Sequence, residues 1–226
     1  MGESPLAAYF KKLKESDVKG AIDALAPLKP SGSDEVFTMT EEQLKALSEP
    51  VRKGIVIHKN ALGYVLSLGG ARLMALTEFA NAARVKPDNV VSLYNLAMMY
   101  RMAGMPEFAA GVLKKLLSLH PENLEARRML YQVLVGNGKD QEARFVAESS
   151  YGLYPDNREM ILCLVDTYVT SGDTDLAIKT LEQGIKSLPD DPQLQLAEAN
   201  VLLYGRQAKE AQAKLEALKL PATADG

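Results

Sequence analysis

Cysteine is nearly absent. Cys163 is the only one in 226 residues, so no disulfide can close within the chain and dithiol redox chemistry is excluded, while the compartment stays open. Cys163 has no basic neighbour and no glycine elbow, and it reads as a packed thiol. Histidine is scarce too: His58 and His120 stand apart, with no HExxH, CxxC or carboxylate cluster at ligand spacing, so no metal site is expected. His120 precedes Pro121 and reads as a helix C-terminal capping residue. Glycine motifs for nucleotides are missing, and Gly69-Gly70 is only an interhelix turn. With no catalytic group and no cofactor expected, the chain reads as a non-enzyme.

Positive charge is not in excess. The net charge of -3 and pI near 5.6 argue against nucleic acid, whose binding needs cations to displace counterions from phosphates. The negative excess lies in residues 1–50, which hold 6 Lys/Arg against 9 Asp/Glu. No run of 18 apolar residues is present, so no direct membrane insertion is expected. The start, Met1-Gly2-Glu3-Ser4-Pro5, lacks the basic and apolar regions of a signal peptide, and Leu6 stands where myristoylation wants Ser or Thr. The expectation is a soluble chain, cytoplasmic by default, with a periplasmic location open if a targeting segment has been removed.

What is present is enough apolar material for a packed core, at 47% hydrophobic and 24% charged. It is arranged with a period. Prolines stand at Pro87, Pro121, Pro155 and Pro189, each 34 residues after the last. The same step links Ala75, Ala109, Ala143, Ala177 and Ala211, and Gly70, Gly104, Gly138 and Gly172. It also links Leu66, Tyr100, Leu134, Tyr168 and Leu202, and Leu62, Leu96, Leu130 and Leu164 before a break at Glu198.

The last two columns lie four residues apart and so share one face of a first helix. Glycine follows that helix, where a left-handed cap costs Gly least. Alanine, with Phe79, Leu113, Leu181 and Leu215 four residues on, marks the inward face of a second helix whose backbone runs close to the first. Proline ends that helix, and Asn89, Asn123, Asn157 and Asp191 cap the next one, with Pro192 at a tolerated first-turn position.

This pattern resembles the tetratricopeptide repeat, with Leu62-Gly63, Leu96-Ala97, Tyr100 and Tyr168 as the best matches. The resemblance implies an all-α, right-handed α-α superhelical solenoid of tandem helix-turn-helix repeats: 56–89, 90–123, 124–157, 158–191 and 192–225. Lys59 and Arg127 depart from it, standing where the family prefers large apolar residues. Glu198 and the shifted Gly205 make a polar last repeat, expected to face solvent as a cap.

Residues 1–55 are expected to form an N-terminal helical cap or degenerate repeat with a linker. Residues 5–29 read as two short helices, with Ala21 and Leu25 echoing the second-helix columns. Lys29-Pro30-Ser31-Gly32-Ser33-Asp34 is a breaker cluster, Thr40-Glu41-Glu42 starts a helix, and Pro50 opens another. Covering the apolar end of the solenoid is one role for this segment. The other has Val36-Phe37-Thr38-Met39 lying in the protein's own groove.

In the family, first helices line a concave ligand groove. Carried onto this sequence, that face holds Asn60, Tyr64, Val91, Tyr94, Asn95, Met98, Arg101, Met102, Arg128, Met129, Gln132, Leu162, Asp166 and Asn200, together with Cys163, Val169 and Tyr204. Its middle reads as apolar and methionine-rich, which suits adaptable binding. The alternative is that Met98, Met102 and Met129 pack between neighbouring first helices. The carboxylate clamp of some family members is not reproduced: Asn95 fits one place, but Tyr64 replaces a second Asn, and Glu125 and Met129 stand where basic residues belong. The expected role is a scaffold or adaptor that grips a peptide or helix of another protein in an apolar groove, with self-assembly into homo-oligomers as the alternative.

Overall fold

The computed structural model describes residues 4–30, 33–205 and 207–217. Its described residues form thirteen α-helices and no strand. Packing divides the chain into two compact units, Met1–Ala126 and Arg127–Gly226.

The first unit holds α1 (Pro5–Lys14), α2 (Val18–Leu25), α3 (Glu41–Ala46), α4 (Glu49–Leu68), α5 (Arg72–Val85), α6 (Val90–Met102) and α7 (Pro106–Leu119). α8 (Leu124–Gly136) begins just before the division. The second unit continues with α9 (Asp140–Leu153), α10 (Arg158–Ser171), α11 (Thr174–Ser187), α12 (Pro192–Tyr204) and α13 (Ala208–Ala217). Consecutive helices pack as hairpins, α1 on α2, α4 on α5 and α6 on α7 in the first unit, α10 on α11 and α12 on α13 in the second. Among the described residues no helix is long and apolar enough to cross a membrane.

The turn chemistry follows the repeat. Gly70, Gly104, Gly138 and Gly172 all have positive φ, between 67° and 81°. This lets the N–H of the next residue reach back to the carbonyl of the Leu/Tyr column: Ala71 to Leu66 at 2.9 Å, Met105 to Tyr100 at 2.9 Å, Lys139 to Leu134 at 2.9 Å and Asp173 to Tyr168 at 2.8 Å. In the last hairpin Gln207 makes the same bond to Leu202 at 2.8 Å, but Gly205 has φ -74°. The slot that matches the glycine column is position 206, outside the described residues, as are positions 218–225 of the last expected repeat. The Asx residues cap as expected: Asn89 accepts from the Ser92 N–H, Asn123 from Ala126, Asn157 from Met160, and Asp191 from Gln193 and Leu194.

The alanine column lies in the hairpin interior. Ala75, Ala109, Ala143, Ala177 and Ala211 are all buried. Gly63 is tightly enclosed, since a Cβ there would stand 2.8 Å from the Phe79 ring. In the last repeat most described residues of α13 are exposed, as a solvent-facing cap should be, but Glu198 itself does not face solvent. It is only 4% exposed, and its carboxylate meets the Lys214 ammonium of α13 at 2.7 Å. The leucine column faces the hairpin interior, so a carboxylate placed there is drawn inside and must find a cation.

The N-terminal helices form where the punctuation places them. Thr40 and Gln43 close a capping box on α3, and Pro50 lies in the first turn of α4. Residues 31–32 of the breaker cluster lie outside the described residues. Val36 is fully buried with Leu44, Ile55, Val56 and Val85. Arg84 of α5 donates to the carbonyls of Val36 at 3.2 Å, Phe37 at 3.0 Å and Met39 at 2.7 Å. Residues 36–39 are thus fastened at the start of α4 and the end of α5.

Two polar residues of α4 are buried. Lys59 occupies its apolar position with its stem inside and its ammonium 2.8 Å from the Glu78 carboxylate of α5. Beside it, His58 is held below the usual 6.5, first by burial and then by the Lys59 and Lys29 ammoniums, against the opposing pull of Glu78 and Asp34.

Two outcomes are expected. Ala143→Leu forces methylenes into a closed helix pair and should lower stability by about 1 to 3 kcal/mol in urea unfolding. The histidine makes stability depend on pH. Its folded pKa is depressed, so below about 6.5 the unfolded chain takes up a proton that the folded chain refuses, and stability falls as pH drops toward the folded value. Unfolding midpoints measured between about pH 7.5 and about pH 5.5 should fall in the native chain and fall less in His58→Gln.

Candidate protein-interaction surface

The interaction candidates fall into both units, and each unit has its own character. In the first unit, α4 and α6 repeat one pattern. Ile57, Tyr64 and Leu68 on α4 stand at i, i+7 and i+11, and so do Val91, Met98 and Met102 on α6. That spacing keeps each set on one helical face. Ile57 is 59% exposed, Leu68 55%, Val91 56%, Tyr64 48% and Met102 44%, while Tyr94, Asn95 and Met98 are half-buried and Arg101 is exposed. Exposed apolar side chains repeated in this way on two helices make this face the candidate for contact with a partner.

Sequence reasoning missed Ile57 and Leu68. The signal was there, because Ile57 lies 34 residues before Val91 and Leu68 lies 34 before Met102. α1 also reaches this neighbourhood. Burial and the nearby Tyr64 phenol push the Tyr9 phenol above its usual range, and Tyr9 meets the exposed Phe10 edge-on at 5.2 Å.

Asn60 is engaged within the protein through its amide nitrogen. Its amide nitrogen donates to the Val56 carbonyl at 2.9 Å and to the Ser92 hydroxyl at 2.8 Å. Ser92 is fully buried and donates in turn to the capping carboxamide of Asn89 at 2.8 Å. This chain ties α4 to the start of α6 and leaves the Asn60 N–H groups engaged within the protein.

In the second unit the corresponding positions are polar and largely paired. Arg128 lies 3.7 Å from the Glu159 carboxylate. Asp166 accepts from the Tyr131 hydroxyl at 2.7 Å, and Tyr131 accepts from Thr167 at 3.2 Å. Gln132 and Asn200 are exposed, as is Tyr204 on α12. Leu162 and Val169 are half-buried against the core of Ile161, Val165, Leu181 and Leu194. Of the expected apolar, methionine-rich middle, Met98 and Met102 lie on the α6 face, whereas α8 and α10 carry ion pairs and hydroxyls.

Met129 needs correction. It is only 5% exposed, so its side chain belongs to the core and not to a ligand face. Its register column, Ala61, Asn95, Cys163 and Ala197, is half-buried at every other repeat, and the long thioether at this slot goes fully under.

The departure at Arg127 is accommodated within the second unit. Its guanidinium lies over the Tyr154 ring at 5.9 Å and reaches the Ser150 hydroxyl at 3.4 Å. Among the described residues no group of three or more His, Cys, Asp or Glu is placed to hold a metal ion.

Hairpins recurring every 34 residues, four of them closed by left-handed glycines and lined by buried alanines, define an all-α helical-repeat protein of the solenoid class. Residues 141–201 match the family model described as tetratricopeptide repeat. A tetratricopeptide repeat protein from Parabacteroides merdae superposes with a TM-score of 0.66 at 18% identity, covering 96% of this chain and 79% of that one. YrrB, described as a TPR protein with an unusual peptide-binding site, superposes with a TM-score of 0.54 at 18% identity, covering 71% of this chain and 83% of that one. The chain thus shares the fold of tetratricopeptide repeat proteins, and residues 141–201 carry the repeat match. In sequence it is 28% identical over 178 residues, 77% of its length, to cellulose synthase operon protein C of Komagataeibacter xylinus, and it spans 13% of that relative.

Cys163 sits among these second-unit groups as a half-buried thiol. Burial, then the Glu159 and Asp166 carboxylates, push its pKa up to about 12 against the opposing effect of Arg128. The thiol should therefore stay protonated at neutral pH. Iodoacetamide should alkylate it far more slowly at about pH 8 than a free cysteine, whose pKa is about 8.5, and urea should restore the ordinary rate.

Proposed function

We propose that this protein is an interaction module whose α4–α6 face holds an apolar-anchored peptide or helix of another protein. The observation that carries the reading is the doubled i, i+7, i+11 set of Ile57, Tyr64 and Leu68 beside Val91, Met98 and Met102, most of it open to solvent. Two helices presenting matched apolar rows suit an amphipathic segment that inserts side chains at helical spacing. Methionine supports adaptable packing. YrrB gives a precedent within the fold for peptide binding.

Two or three buried anchors contribute roughly 1.5 to 3 kcal/mol each, and ordering the ligand takes part of that back. The expected affinity is about micromolar, near -8 kcal/mol.

Self-association is the second reading. Leu73, Met74, Met105 and Phe108 are all exposed near the turns after α4 and α6 in the first unit, with Phe108 stacked on Tyr100 at 5.4 Å. Light scattering that shows a large shift to oligomer with concentration would favour this reading over a heterologous partner.

Met98→Glu together with Met102→Glu should leave far-ultraviolet circular dichroism nearly unchanged, since surface changes usually stay within about 0.5 kcal/mol. Calorimetry with a partner captured from lysate should lose detectable binding. Undiminished binding would mean that the α4–α6 face is the wrong surface, and unfolding of the variant would mean that the two methionines are core.

A further inference from the structure

The second helices α5 and α7 both pack on α6 and leave a cleft of about 660 Å³ between them, closed at one end by α3. This size lies within the range of ligand sites. The cleft is separate from the apolar α4–α6 residues proposed above. Its floor is apolar, made by Leu93 and Leu96 of α6, Ala83 of α5 and Val112 of α7, with Leu44 at the α3 end.

The rim carries charge of mainly one sign. Lys45 projects from α3, Arg84 from α5 and Lys115 from α7, with Glu41 the opposing carboxylate. Arg52 also lines the cleft, but Glu49 holds it at 2.9 Å. The remaining three cations are weakly neutralised. Lys45 meets Glu41 only at 4.0 Å with both side chains exposed, an arrangement of little energetic weight. Arg84 donates to three carbonyls, which satisfy hydrogen bonds but leave its charge in place. Lys115 is exposed on α7. On a chain of net charge -3, a basic ring around an apolar floor is a local inversion.

We propose that this α5–α7 cleft is a second docking site, and that its occupant is an acidic segment of another protein carrying aliphatic anchors. The cations stand on three different helices around the cleft, which fits a segment with several carboxylates better than one headgroup with a single charge. Aliphatic side chains one turn apart reach the Leu93 and Leu96 floor, and carboxylates on either side meet the rim.

Fluorescence anisotropy of the full chain tests this with a fluorescein-labelled peptide of glutamates bearing two leucines one helical turn apart, and with its lysine counterpart. The glutamate peptide should bind at least about tenfold more tightly, since like charges placed together oppose association. Replacing its leucines by serines should abolish binding. Lys45→Glu with Lys115→Glu should reverse the preference, and Lys115→Glu alone should weaken the glutamate peptide even if α3 shifts. Met98→Glu with Met102→Glu should leave its affinity unchanged, which separates this site from the α4–α6 face. The proposal is overturned if neither peptide binds, if both bind equally, if charge reversal has no effect, or if the methionine variant removes binding. Binding of decanoate without binding of the glutamate peptide would overturn it in favour of a lipid.

Discussion

The structure of each unit depends on how closely the two helices of a hairpin can approach. Ala109, Ala143 and Ala177 are buried on the hairpin interior, and at Gly63 even a methyl group would collide with Phe79. Gly184 shows the same limit in the second unit, where an added Cβ would lie 2.9 Å from Ile161. Interiors packed to this density transmit any added volume as strain. Large side chains are therefore moved to flanking columns, where Leu113, Leu181 and Phe79 fill the space beside the contact.

Close approach also decides the fate of polar residues in core columns. Lys59 and Glu198 both stand where the repeat wants an apolar side chain, and both are buried with a counter-ion, Glu78 and Lys214 respectively. Each partner comes from the facing second helix, the same element that supplies the apolar contacts elsewhere. At His58 burial is the largest influence and lowers its pKa, against the weaker pull of the Glu78 carboxylate. Position in the register determines burial first, and chemistry then adapts to it.

The outer faces differ between the units because their columns were left to side chains of different kinds. α4 and α6 expose aliphatic and sulfur-bearing residues, whereas α8 and α10 link Arg128 to Glu159 and Tyr131 to Asp166. A partner that meets the first finds apolar area. One that meets the second has to displace internal hydrogen bonds, which costs more than covering open surface. The α5–α7 cleft adds a third environment, apolar below and basic above.

The repeat itself was legible in the sequence because glycine at a left-handed turn, asparagine at an N-cap and alanine in the hairpin interior are local requirements that recur at every 34th residue. Those positions determined the helix order, the turns and most of the hairpin core. Gly205 shows where local reading stops, because its identity suggested the turn glycine one place early and its backbone is not left-handed. Exposure was less legible. Met98, Met102 and Met129 are one residue type on equivalent helices, yet only Met129 is buried, while Asn60 is engaged through Ser92 and Ile57 and Leu68 are open. The clustering of Lys45, Arg84 and Lys115 around one cleft was invisible along the chain, since they lie on three helices far apart in sequence. Periodicity assigns a side chain to a face. Only the tertiary structure decides what covers that face, because burial and charge proximity depend on neighbours that the period does not specify.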